Sequence, residues 1–380
     1  MESLYFSNAD FFRIPDAFLH LNALRHLNII ATPVNDWNIG ALAYIGKTLQ
    51  TLNIEEVEFT TWPPWLRCFE NLNELSIQSN AISSIPDNGF DHLADNLQVL
   101  TLSNNSLTDT PKALVILKNV ESLDLGLNKI SNVTWLPHNS KLFSLALNLN
   151  SISDAKQLSN VLRPFASTLD TVLLSHNRLT VIPDLSFLTR IDTFDLSYNL
   201  ISDPASGALH NETTMLDLSF NQLPSIPVIY RGLKLVSSMT LTHNLIHVVQ
   251  GSSIPVWIAY LYLEFNLITE LSDTSFPDNS SLQVLLLDGN PLVKISNLAL
   301  KNLKFIYSLS LKNTKLTRLP LSLSYLTSIF DLDLSNNTGL VCTCLEKSLR
   351  DKITSNIAII GDCGNIRIYD FFAILSSSCP

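Results

Sequence analysis

The phrase LDLSFNQL (Leu216–Leu223) has near-copies along most of the chain: LTLSNNSL, LDLGLNKI, LALNLNSI, LLLSHNRL, FDLSYNLI, MTLTHNLI, LYLEFNLI, LLLDGNPL, LSLKNTKL and LDLSNNTG. Fifteen repeats fit one frame, starting at Met1, Leu24, Leu49, Leu72, Leu97, Val120, Leu142, Leu169, Ile191, Thr213, Val236, Ile258, Leu282, Ile306 and Ile329, spaced 22 to 27 residues apart. Positions 1, 4 and 6 are apolar in 44 of 45 cases, Thr213 being the exception, in a chain that is 46 % hydrophobic. Positions 4 and 6 are two apart, so on a short strand both point into the core. Position 9 is Asn in eleven repeats, from Asn80 to Asn337. A buried amide is costly unless paired, so these side chains are expected to bond backbone where the chain leaves each strand. An Ile-Pro pair then follows in several repeats, as at Ile85-Pro86, Ile182-Pro183 and Ile226-Pro227, where no ladder donor is needed.

This pattern is identified as a leucine-rich repeat. One repeat cannot bury its apolar stripe alone, so neighbours must stack. The expected fold is an α/β solenoid: a leucine-rich-repeat horseshoe with a concave parallel sheet of about 15 repeats. The repeats fill residues 1–337, and 338–380 form a separate cap. Gln157–Thr168 and Pro86–Asn96, in the two longest interior repeats, are expected to form short helices on the convex side. Repeats 1 to 3 carry Ala9, Thr32 and Val57 in place of the Asn. Met1 already occupies position 1, and nothing precedes Leu4, Phe6, Phe11 and Ile14, which suggests a natural chain that begins further upstream.

In the cap, Cys342 and Cys344 are followed by Cys363 and Cys379. Leu345, Leu349 and Ile353 suggest one helix; Ile368, Phe371, Phe372 and Leu375 suggest another. Cys342 and Cys344 share one short segment and are expected to bond to different partners. Zinc usually takes wider ligand spacing, and reduced thiols are the other alternative, but the count favours disulfides and an oxidising compartment. The cap resembles the cysteine-rich C-terminal flanking region of extracellular animal leucine-rich-repeat proteins, such as Toll-type receptor and Slit-type ectodomains. That resemblance implies the pairs Cys342–Cys363 and Cys344–Cys379. The chain departs from it in having no Asn-Pro before the cap, no Trp after the second cysteine and no cysteine-rich N-terminal cap. Cys68 is left over and reads as a buried free thiol.

A formal charge of −10 and the absence of Lys/Arg runs argue against nucleic acid, acidic glycans and anionic membranes. No apolar run approaches the ~20 residues of a membrane span. The N-terminus has none of the features of a signal peptide, which taken alone points to the cytoplasm. The cysteines contest that, as do five Asn-x-Ser/Thr sequons at Asn104, Asn132, Asn211, Asn279 and Asn336.

No catalytic, metal or cofactor motif is present: the His243–His247 spacing falls on a strand edge, and no phosphate or dinucleotide loop occurs. The chain is expected to be non-enzymatic, without a cofactor. Position 8 of five consecutive repeats reads His176, Tyr198, Phe220, His243 and Phe265, with Tyr260 and Tyr262 alongside. These rings, beside Asp195, Asp217 and Glu264, suit a protein or peptide ligand. A plainer reading is that the rings pack on one another and the carboxylates are a solvated face. Glycans on Asn104 and Asn336, also at position 8, would leave repeats 6 to 13 of the inner face open. The resulting expectation is a secreted or cell-surface ligand-binding ectodomain. A cytoplasmic scaffold and a non-catalytic subunit of an enzyme complex are the rivals.

Overall fold

The computed structural model describes residues 1–354 and 357–374. It divides into two compact units, Met1–Leu179 with Pro183–Ile191, and Thr180–Ile182 with Asp192–Pro380. The first holds repeats 1 to 8; the second holds repeats 9 to 15 and the cap.

In the first unit each repeat contributes one strand: Ser3–Ser7, His26–Ile30, Thr51–Glu55, Glu74–Gln78, Val99–Thr101, Ser122–Asp124, Ser144–Ala146 and Thr171–Leu173. Consecutive strands pair parallel and in frame, so that Leu27 meets Leu52 and Leu52 meets Leu75. Positions 4 and 6 are buried from repeat 2 onward, and position 1 likewise. In repeat 1, Leu4 and Phe6 are half-buried, Phe6 packing edge-on against Phe11 at 5.0 Å.

The return segments are mostly short 3-10 turns, which suits chains that must cover a strand's width in few residues. The expected convex helices occur as Ala155–Leu162, running into a 3-10 turn at Arg163–Phe165, and as a single turn at Asp91–Leu93. Asp154 caps the former by accepting from the Gln157 N–H at 2.8 Å. A further helix, Ile39–Ile45, was not anticipated; Asn38 caps it through the Ala41 N–H.

In the second unit the strands are Thr193–Asp195, Met215–Asp217, Ser238–Thr240, Tyr260–Tyr262, Val284–Leu286, Ser308–Ser310 and Asp331–Asp333, again parallel and in frame. Thr213, the exception to the apolar pattern, is fully buried, and its hydroxyl donates to the His210 carbonyl at 2.7 Å. The core therefore accepts it at no unpaired polar cost.

The cap contains both expected helical stretches: a 3-10 turn at Cys344–Leu349 continuing into the helix Arg350–Ile353, and the helix Ile368–Ile374. Between them lies an unanticipated strand, Ala358–Ile360, which pairs parallel with the last repeat, Leu332 facing Ile359. Cys342 and Cys363 are joined by a disulfide, with Cα atoms 5.4 Å apart. Cys379, the partner expected for Cys344, lies outside the described residues, as does Leu375. The cap is also tied down by Glu346, which is almost fully buried. Its carboxylate accepts from the Thr343 N–H at 2.9 Å and from the Arg318 Nε at 2.6 Å. A carboxylate this buried is costly without partners, and these donors supply them. Among the described residues no helix is long and apolar enough to cross a membrane.

Candidate binding surface

The surface is built on the strand exits. Asn221 shows how each exit is fixed: its Nδ2 donates to the carbonyls of Leu196, Leu218 and Ser219 at 3.0 to 3.2 Å, and its Oδ1 accepts from the Ile201 N–H at 2.9 Å. The same set recurs at Asn105, Asn128, Asn150, Asn244 and Asn266. Each amide thus closes its own strand and fastens the repeat before it, as expected of a buried polar group.

For the Asn at position 9 to aim back at the backbone, position 8 must turn out of the strand. It does so through positive φ in all fifteen repeats, from 46° at Ala31 to 68° at Gly289. The column itself carried a signal for this: Asn8, Asn104, Gly289, Asn313 and Asn336 are residue types that tolerate the left-handed region. Bulky side chains there are strained, yet Tyr198, Phe220, His243 and Phe265 occupy four successive repeats.

The four rings stack on one another. Tyr198 and Phe220 lie 4.0 Å apart and 8° from parallel, Phe220 and His243 4.2 Å and 15°, His243 and Phe265 4.4 Å and 10°. The column ends on Gly289, where a Cβ would stand 2.6 Å from a Phe265 ring carbon. The glycine leaves the space that the last ring fills. Inner ring faces are therefore occupied by one another, and what solvent meets is ring edges; Tyr198 and Phe265 are 43 % and 49 % exposed. His176 has the same left-handed backbone but belongs to the first unit.

The other expected residues sit on the strands. Tyr260 and Tyr262 are half-buried at positions 3 and 5 of repeat 12. Burial, then the neighbouring Glu264, pushes the Tyr262 phenol up. Asp195 and Asp217 face one another across adjacent strands. Each accepts from the N–H two residues on, Ser197 at 3.0 Å and Ser219 at 2.8 Å. These aspartates therefore have a local task in shaping the strand exit as well as lining the outward face. Glu264 accepts from the Thr242 hydroxyl at 2.9 Å, and burial raises its carboxyl above the usual range. Asp288, in the next repeat, is raised for the same reason although Ser310 donates to it. Sequence reading missed Asp288 because only stacking of repeats brings it beside Glu264.

The five sequon asparagines are all exposed. Cys68 is free and half-buried, its thiol pushed up by burial. Among the described residues no group of His, Cys, Asp and Glu is arranged to hold a metal ion.

The family model described as leucine rich repeat matches residues 70–130. Osteomodulin of Bos taurus is 37 % identical over 98 residues, covering 26 % of this chain and 22 % of that protein. Lumican of Coturnix japonica is 30 % identical over 227 residues, covering 57 % of this chain and 50 % of that protein. The chain thus spans half or less of the length of these two relatives. Among solved structures, a leucine-rich-repeat protein of Leptospira interrogans is 26 % identical with a TM-score of 0.68, covering 94 % of this chain and 95 % of that one. With the stacked repeats and the asparagine ladder, these matches make the fold that of a leucine-rich-repeat protein.

Proposed function

We propose that this chain is a non-enzymatic, ligand-binding leucine-rich-repeat ectodomain, secreted or held at a cell surface, whose partner is a polypeptide bound on the concave face. The observation that carries this reading is the four-ring column from Tyr198 to Phe265. It places strained, exposed aromatic edges beside Asp195, Asp217 and Glu264. Ring edges carry partial positive charge and carboxylates negative charge, so the surface suits peptide carbonyls together with basic side chains. Tyr260 and Tyr262 would widen it. The extracytoplasmic location is supported by the Cys342–Cys363 disulfide and by the exposure of Asn104, Asn132, Asn211, Asn279 and Asn336. A Cys344–Cys379 pair completes the proposed cap, and the exposed sequons would carry glycans.

A partner captured from extracellular fluid supplies the test. Tyr198→Ala with Phe220→Ala is expected to weaken its affinity at least tenfold, by surface plasmon resonance, while far-UV circular dichroism stays native. Undiminished affinity in a folded double variant would overturn the assignment of the site. Recovery of a catalytic chain bound to this one would instead favour the role of a non-catalytic subunit.

A further inference from the structure

A second feature lies in the first unit, just before the asparagine ladder begins at Asn80. Position 9 of repeat 3 is Val57, and the backbone on either side of it is unusual. Glu56 takes the left-handed turn common to position 8, at φ 52°, and Glu58 follows with φ 63°. Among the described residues only Glu58 and Asn279 adopt positive φ as non-glycines outside position 8. Asn80 of the next repeat holds this loop: its Oδ1 accepts from the N–H groups of both Val57, at 3.3 Å, and Phe59, at 3.0 Å. Strand exit and loop are thereby fixed from outside, which frees both glutamate side chains from any part in the ladder.

Beside this loop is a cavity of about 570 Å³ whose walls include Val34, Trp37, Phe59, Glu56 and Glu58. Trp65 backs it, stacked on Trp37 at 4.3 Å and 17° from parallel, with Phe59 5.3 Å from Trp37. No Lys, Arg or His lines the cavity, and neither Glu56 nor Glu58 forms an ion pair among the described residues. Aromatic faces and unpaired carboxylates converge on one space, with no cation to neutralise them.

We propose that this cavity is a cation-recognition pocket for the guanidinium or alkylammonium head of a basic polypeptide side chain. Trp37 and Phe59 attract the cation through their ring quadrupoles, and Glu56 and Glu58 supply the opposite charge at the rim. The pocket is independent of the ring column, since it lies in the other unit and shares no residue with it.

The indole N–H resonances of the intact chain, with that of Trp37 assigned by Trp37→Leu, report binding locally. Titration with N-acetyl-arginine methylamide is expected to shift the Trp37 signal saturably. N-acetyl-glutamine methylamide, of similar shape without the charge, is expected to leave it unmoved. Glu56→Gln with Glu58→Gln, both exposed and hence tolerated by the fold, should weaken binding about tenfold. Tetramethylammonium in a third titration tests the donor groups: weaker binding than the arginine amide fits a side-chain head that also hydrogen-bonds the carboxylates. The proposal is overturned if the glutamine amide binds equally, if the double variant binds as well as the native chain, or if tetramethylammonium binds more tightly than the arginine amide.

Discussion

Repeats 1 to 3 and repeats 9 to 13 are built on the same apolar frame but leave their strands differently. In repeats 1 to 4 the strand runs through position 7, as in Ser3–Ser7 and His26–Ile30. From repeat 5 on it stops at position 5, as in Thr193–Asp195 and Met215–Asp217. The change coincides with Asn105, the first Asn at position 9 to reach back to a position-6 carbonyl, that of Ile77 at 2.8 Å. In repeat 2, Thr32 partly replaces the amide: its hydroxyl donates to the Ile30 carbonyl at 2.9 Å and accepts from the Ala9 N–H at 3.2 Å. Apolar residues at positions 1, 4 and 6 thus specify stacking, while from Asn105 on the amide at position 9 takes the position-6 carbonyl of the repeat before it. Position 8 still donates across to the next repeat, as the Tyr198 N–H does to the Ser219 carbonyl at 3.1 Å, and in this amide-bonded stretch it carries the aromatic column.

The largest expected effect breaks this comparison at its strongest point. Asn221→Ala leaves the Ile201 N–H and the Leu196 and Leu218 carbonyls without their partner inside the core. It should cost about 3–5 kcal/mol by urea denaturation. Thr32→Val, which removes two bonds in the region that relies on longer strands, should cost about 1 kcal/mol. Equal losses at the two sites would mean that the amide ladder has no special role.

A smaller effect sharpens the account of position 8. Gly289→Ala puts a Cβ at φ 68° and 2.6 Å from the Phe265 ring. Strain and overpacking should cost about 1–3 kcal/mol and change the near-UV dichroism as the ring column shifts. A neutral substitution would mean that Phe265 does not rest there.

The smallest effect concerns Glu264. Its folded pKa is raised, mainly by burial, above the ordinary value of 4.5. The stabilisation linked to its protonated form is complete below 4.5 and disappears as pH rises through the raised folded value. Glu264→Gln should therefore reduce the stability difference between pH 4 and pH 7, and should not destabilise at pH 7. A variant that loses stability only at neutral pH would reverse this sign.

Much of the architecture was readable in advance because repetition amplifies weak signals. One Leu-x-x-Leu-x-Leu is ambiguous, whereas fifteen in one frame are not, and the burial of positions 4 and 6 from repeat 2 onward follows from them. The amide ladder was likewise legible, since eleven asparagines at one position need a common partner. The left-handed turn at position 8 was written in its Asn and Gly residues but hidden by the aromatic ones. The Ile39–Ile45 helix and the Ala358–Ile360 strand were missed because neither has an internal period; their neighbours hold them in place. The ring residues could be identified from the sequence, as could the plainer reading that they pack on one another, which the near-parallel stacking from Tyr198 to Phe265 matches. The cavity beside Trp37 was out of reach altogether, because it joins loops of different repeats.

The central claim, a disulfide-capped ectodomain outside the cytoplasm, is tested most directly by intact mass of the natively expressed protein with thiol labelling. The account predicts one free thiol, at Cys68, before reduction and five after, together with excess mass that a glycosidase removes. Five free thiols at the outset and no glycan would contradict it and point to a cytoplasmic scaffold.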